Sequence, residues 1–120
     1  MAFARRVFFL AGLYGVLILV PQYFMEAKLG RDFPPPMNHP EYFYGFLGVA
    51  LAWQVLFFLV AQDPARLRPA IIPAILEKLG FGAAAVMLFA QGRLGVPLFV
   101  AGLVDFVFAF LFSWAYRRIG

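Results

Sequence analysis

Four long apolar runs, set apart by short polar breaks, dominate the pattern along the chain. The first, Val7–Met25, is 19 residues long, follows the pair Arg5-Arg6 and is broken only by Pro21 and Gln22. The one long polar stretch comes next, Glu26–Glu41, with Lys28, Arg31, Asp32, the run Pro34-Pro35-Pro36 and His39-Pro40. Three successive prolines favour extended backbone without internal hydrogen bonds, so this stretch is expected as a surface loop. The second run, Tyr42–Ala61, opens with Tyr42, Phe43 and Tyr44, aromatic rings suited to a headgroup interface, and stops at Gln62-Asp63-Pro64. Asp63-Pro64 can cap a short interfacial turn carrying Arg66 and Arg68. The third run starts near Pro69 and reaches Gln91, with Glu77 and Lys78 inside it. Pro69 and Pro73 fall near its start, where a missing N–H costs least. After the short hairpin Gln91–Gly95, the fourth run, Val96–Tyr116, has Asp105 near its centre and Ser113 towards its end.

A helix crosses the hydrocarbon core with about 20 apolar residues. The pattern therefore predicts an all-α fold, an antiparallel bundle of four transmembrane helices over 7–25, 42–61, 69–91 and 96–116, with 26–41 as a proline-rich loop. These spans occupy most of positions 1–120, which are expected to form a single domain. Arg-Arg before an apolar run also fits a cleavable signal peptide. The length of that run and the poor small-x-small pattern at Met25-Glu26-Ala27 favour a retained helix.

Composition agrees with a lipid solvent. Hydrophobic residues make up 64% of the 120 and charged residues 13%, against about 45–50% and about 25% in soluble domains. A small soluble fold cannot hide that much apolar surface. The basic residues are scattered rather than striped, which speaks against a nucleic-acid partner. There is no cysteine, hence no disulfide and no thiolate chemistry. No Walker loop, G-x-S-x-G or H-E-x-x-H sequence is present, so neither cofactor nor metal is expected and the balance leans away from an enzyme.

Net charge is +4, and in a membrane chain the placement of Lys and Arg reports topology. Arg5, Arg6, Arg66, Arg68, Arg117 and Arg118 fall on one side, and Lys28, Arg31 and Arg93 on the other. Six against three predicts both termini in the cytoplasm of a multi-pass protein of the plasma (inner) membrane.

The informative residues are the polar ones inside the spans. An ionisable group at membrane depth is costly, so it faces the protein interior and has a partner. At 1.5 Å per residue, Glu77 and Lys78 lie about 12–13 Å along the third helix, Asp105 about 16 Å from the end of the fourth, and Gln54 and Tyr14 about 11 Å in from the same side. Tyr14, Gln54, Glu77, Lys78 and Asp105 thus fall in one slab, in the half of the bundle nearer the arginines, and form the candidate ligand-binding site. Two acids face one base, so either one carboxyl holds a proton or a cation or amine completes the set. Glu77 and Lys78 point about 100° apart, and Lys78 is the better match for Asp105. A purely structural reading stands beside this one, in which Lys78 and Asp105 are an assembly pair that fixes helix register. His39 is expected to be solvated.

Small residues are expected at helix contacts. Gly12 with Gly15, Gly45 with Gly48 and Gly80 with Gly82, and the spacings Ala11-x-x-x-Gly15, Gly48-x-x-x-Ala52 and Gly80-x-x-x-Ala84, fit that role.

Three stretches, Leu13-Tyr14 leading to Phe24-Met25-Glu26, Trp53-Gln54 with Phe57-Phe58, and Arg68-Pro69-Ala70-Ile71-Ile72, resemble the small four-helix membrane proteins grouped as DoxX-like and EXPERA-like. The resemblance covers about a third of the chain. It implies a lipid-facing pocket for a hydrophobic molecule, whether neutral or cationic, with Glu26 matching the family's acidic residue after the first helix. Its acidic residue on the second helix is replaced here by Ala52 or Trp53, which argues against isomerase chemistry and leaves Glu26 and Trp53 as secondary candidates. Small multidrug exporters also have four helices, but their essential carboxylate lies on the first helix, where this chain has none.

Three functions follow as expectations. The first is binding of a small hydrophobic or lipid-like ligand at the polar slab. The second is proton- or cation-coupled transport by a homodimer. The third is an accessory role in a larger membrane complex. Membrane lipids are partners in all three.

Overall fold

With no water in the bilayer core, a spanning segment must satisfy its own backbone, and a helix does so. The computed structural model describes residues 1–36 and 38–119. Its helices are α1 (Ala2–Gln22), α2 (Glu26–Asp32), α3 (Pro40–Gln62), α4 (Ile71–Ala90) and α5 (Val96–Ile119), with a 3₁₀ turn at Arg68–Ala70 before α4. The chain is all-α. Among the described residues four helices, α1, α3, α4 with its 3₁₀ turn, and α5, are long and apolar enough to cross a membrane. The chain is a membrane protein built as a four-helix bundle.

The ends of these helices follow from local chemistry. Pro40 opens α3 at a position where its missing N–H costs nothing, and Glu41 places a carboxylate on the positive end of the helix dipole. Asp63 ends α3, and its Oδ1 accepts the Arg66 backbone N–H at 3.3 Å, which shapes the interfacial turn. Pro73 is the third residue of α4, within the turn whose N–H groups have no helical partner. Past the end of α4 at Ala90 the turn is closed by Gly92, whose φ of 72° only glycine adopts freely. There Arg93 N–H reaches Leu88 C=O at 2.8 Å and Gly92 N–H reaches Phe89 C=O at 3.0 Å, the pair of bonds of a Schellman motif.

The four long helices run antiparallel. The Arg5 guanidinium donates to Gln62 C=O at 2.5 Å and Ala61 C=O at 3.4 Å, joining the start of α1 to the end of α3. The Tyr23 and Tyr44 rings meet at the opposite end. The Arg68 Nε–H donates to Tyr116 C=O at 3.0 Å, and the Phe89 and Phe99 rings stack at 4.1 Å, so α4 and α5 are antiparallel too. Arg118 over the Phe3 ring brings the end of α5 to the start of α1. All six arginines of the sequence count therefore sit at one end. α1 packs along both α3 and α5, α5 packs along α4, and α3 meets α4 over a short stretch.

Of two core clusters the smaller, Leu19, Leu47 and Ala50, lies towards the end opposite the arginines, and the larger lies in the arginine-rich half. Phe8, Phe57 and Phe112 are fully buried there, with Phe8 and Phe112 stacked at 4.2 Å and Phe57 set edge-on to Phe112 at 5.2 Å. Lipid gives no hydrophobic drive between helices, so close packing of these rings and of small residues holds the bundle. Each aromatic pair adds about 0.5–1.5 kcal/mol.

Three expectations are corrected. Residues 26–41 are not all loop: Glu26–Asp32 is a helix, stabilised by the i,i+4 ion pair Lys28–Asp32 at 2.6 Å, and the prolines that dominate the composition lie beyond it. α1 and α5 extend past the expected limits, to Ala2 and Ile119, and α1 ends at Gln22 rather than Met25 because Pro21 and tight i→i+3 turns close it. The small-residue contacts are not all where the spacing put them. Gly12 and Gly15 do face α3, but Gly45 and Gly80 have open space around them, and Gly48, Ala52 and Ala84 are exposed. Gly82 does pack as expected, and with Ala85, which the spacing did not mark, it meets Gly102 to form the α4–α5 seam.

Candidate functional site

Lys78 and Gly82 are four residues apart on α4, and Gly102 and Asp105 three apart on α5, so each pair shares a helix face. A Cβ on Gly102 would collide with that of Ala85, and one on Gly82 would lie 3.1 Å from the Gly102 carbonyl. This glycine contact draws the helices together one turn from the charges. The Lys78 Nζ then stands 3.6 Å from Asp105 Oδ1 and 3.8 Å from Glu77 Oε2. Lys78 is 4% exposed. Its ammonium lies 5.2 Å from the Phe57 ring centre and 5.5 Å from that of Phe108, on α3 and α5, so cation–π attraction assists the ion pairs.

The two carboxylates differ in setting. The Asp105 side chain is 13% exposed and bridges two helices, whereas that of Glu77 is 22% exposed and meets the lysine of its own helix. Glu77 Oε2 is buried and has no hydrogen-bond partner among the described residues. Both separations are ion-pair distances, longer than the roughly 2.7–3.2 Å of a direct N–H···O bond. With all three groups ionised the cluster carries one uncompensated negative charge.

The other expected members divide. Tyr14 is half-buried, with its ring 5.6 Å from that of Phe108, the ring that also flanks the Lys78 ammonium. Gln54 is 2% exposed but turns to α1: its Nε2 donates to Ala50 C=O of its own helix at 2.8 Å, and its Oε1 lies against Gly15 without a partner among the described residues. The structure thus brings Glu77, Lys78 and Asp105 together, sets Tyr14 beside Phe108 at the edge of that cluster, and gives Gln54 to the α1–α3 seam. Of the secondary candidates, Glu26 begins α2, beside Tyr44 and at the end opposite the arginines. Trp53 leans on Phe57 and lines a shallow outer groove of about 270 Å³ with Val49, Ala52 and Leu56. Neither touches the charged cluster. Sequence reasoning did not place Phe57 and Phe108 beside the ammonium, or Gly102 at the seam. The signal for Gly102 was present, a small residue one turn before the only acid of its helix.

Among the described residues no three His, Cys, Asp or Glu side chains gather in a way that could hold a metal ion. Comparison with family models, curated proteins and solved structures finds no match to this chain.

Proposed function

We propose that this protein binds a lipophilic cation, a small hydrophobic amine, at the Glu77–Lys78–Asp105 cluster. The observation that carries the reading is the charge count of the cluster, two carboxylates around one ammonium inside the bundle, with Glu77 Oε2 buried and without a hydrogen-bond partner among the described residues. A buried charge is tolerated when it is paired and hydrogen-bonded, and an ammonium ligand supplies both a positive charge and N–H donors. The arginine-rich end faces the cytoplasm of the inner membrane by the positive-inside rule, so the cluster lies in the cytoplasmic half of the bilayer.

The test is thermal unfolding of the detergent-solubilised protein with a long-chain primary amine and with the alcohol of equal chain length. The amine raises the midpoint, the alcohol does not, and Asp105→Asn removes the difference. Equal stabilisation by both, or by neither, contradicts the reading. A second reading rests on the same charge count, since a proton neutralises the cluster as well as an amine does. It makes the protein a proton-coupled transporter acting as a dimer, and proteoliposomes would then show amine uptake driven by a pH gradient. An accessory subunit would show neither behaviour and would copurify with a larger membrane complex.

A further inference from the structure

A second groove, of about 580 Å³, opens on the outer side of α1 and α3 at the arginine-rich end, lined by Arg5, Arg6, Phe9, Phe58, Ala61 and Gln62. We propose that it is a binding site for an anionic phospholipid, with the phosphate on Arg6 and Arg5 and an acyl chain along Phe9 and Phe58. This site is separate from the charged cluster and does not depend on its function.

Its chemistry is layered as a phospholipid is. Arg5 lines the groove while its Nη1 donates to the carbonyls of Ala61 and Gln62, which leaves the N–H groups of Nε and Nη2 to bind a further acceptor. Neither Arg5 nor Arg6 has a carboxylate partner among the ion pairs of the described residues. Asp63, the acid in the loop that follows α3, is engaged by the Arg66 backbone. A guanidinium fork fits phosphate oxygens in pairs. Phe9 lies three residues beyond Arg6, and Phe58 three residues before Ala61, so both rings sit about 4.5 Å further into the bundle than the charges. The rings meet at 5.6 Å, and Gly12 seats Phe58, since a Cβ there would come within 2.9 Å of its ring. A soluble anion would use the arginines alone, whereas a lipid uses both levels. Basic pockets between cytoplasmic helix ends are where anionic headgroups bind.

Native mass spectrometry tests this on the full chain, released from micelles holding equal amounts of phosphatidylglycerol and phosphatidylcholine with identical acyl chains. The wild type retains phosphatidylglycerol in preference. Arg6→Gln lowers that preference about fivefold, the change expected for loss of one basic contact near the surface. Arg66→Gln, an exposed arginine at the same end but outside the groove, leaves the preference unchanged. Phe9→Ala lowers retention of both lipids. Equal retention of the two lipids by the wild type, or equal effects of Arg6→Gln and Arg66→Gln, overturns the site. Displacement of the lipid by inorganic phosphate alone overturns its assignment to a lipid.

Discussion

Lys78 on α4 and Asp105 on α5 hold an ammonium and a carboxylate 3.6 Å apart across the helix interface, one turn from the contact of Gly82 with Gly102. A buried charge that loses its partner destabilises far more than the pair stabilises, because it stays out of water alone. Asp105→Asn is therefore expected to cost about 3 kcal/mol, the low end for breaking a buried pair, since Glu77 still faces the lysine. Removing the whole charged set, Lys78→Met with Asp105→Asn and Glu77→Gln, restores most of that loss. Unfolding in mixed micelles with increasing denaturing detergent measures both.

The α1–α3 seam depends on the absence of a side chain at Gly15. A Cβ there would collide with the amide of Gln54. Gly15→Ala is expected to destabilise the bundle by about 1–3 kcal/mol, the usual cost of overpacking. Gln54→Ala in the same chain makes room for the methyl group and recovers stability relative to Gly15→Ala alone. Thermal unfolding of the three variants checks the ordering.

Glycines that face open space behave in the opposite way. Gly45 and Gly80 have no atom within 4 Å of an added Cβ. Alanine at either is expected to stabilise its helix by about 0.5–1 kcal/mol through reduced backbone entropy. Gly102→Ala, which meets Ala85, is destabilising. The same unfolding assay separates the three.

At the arginine-rich end, Arg68 lies 3.7 Å from the Tyr116 ring centre and donates to the Tyr116 carbonyl. Lysine offers charge but not the planar fork that does both. Arg68→Lys is expected to lose about 1 kcal/mol, and Tyr116→Leu in that background to lose little more. A double-mutant cycle reads the coupling.

The four spans were legible because a membrane helix must be continuously apolar over a fixed length, a demand that hydropathy alone reveals. Glu77, Lys78 and Asp105 stood out because charge is rare in such runs. Which way a helix faces was harder to read. Gly80 and Ala84 have the spacing of a packing face yet look outward, while Gly82 and Ala85 on the next face make the contact. Spacing places residues on a common stripe but does not say which stripe meets a neighbour. Gln54 shows the same limit: its depth was readable, but its turn towards Gly15 depends on how α1 sits against α3. The helix Glu26–Asp32 was hidden by the prolines that follow it, since composition averages over a boundary that the backbone does not share.

The most direct test of the uncompensated charge is Glu77→Gln, studied by equilibrium binding of a long-chain amine to the purified protein. That substitution leaves Lys78 and Asp105 as a neutral pair and removes the carboxylate whose Oε2 has no hydrogen-bond partner among the described residues. The account predicts that the variant without ligand folds at least as stably as the wild type and no longer binds the amine. A variant that folds normally and binds the amine with wild-type affinity would contradict it.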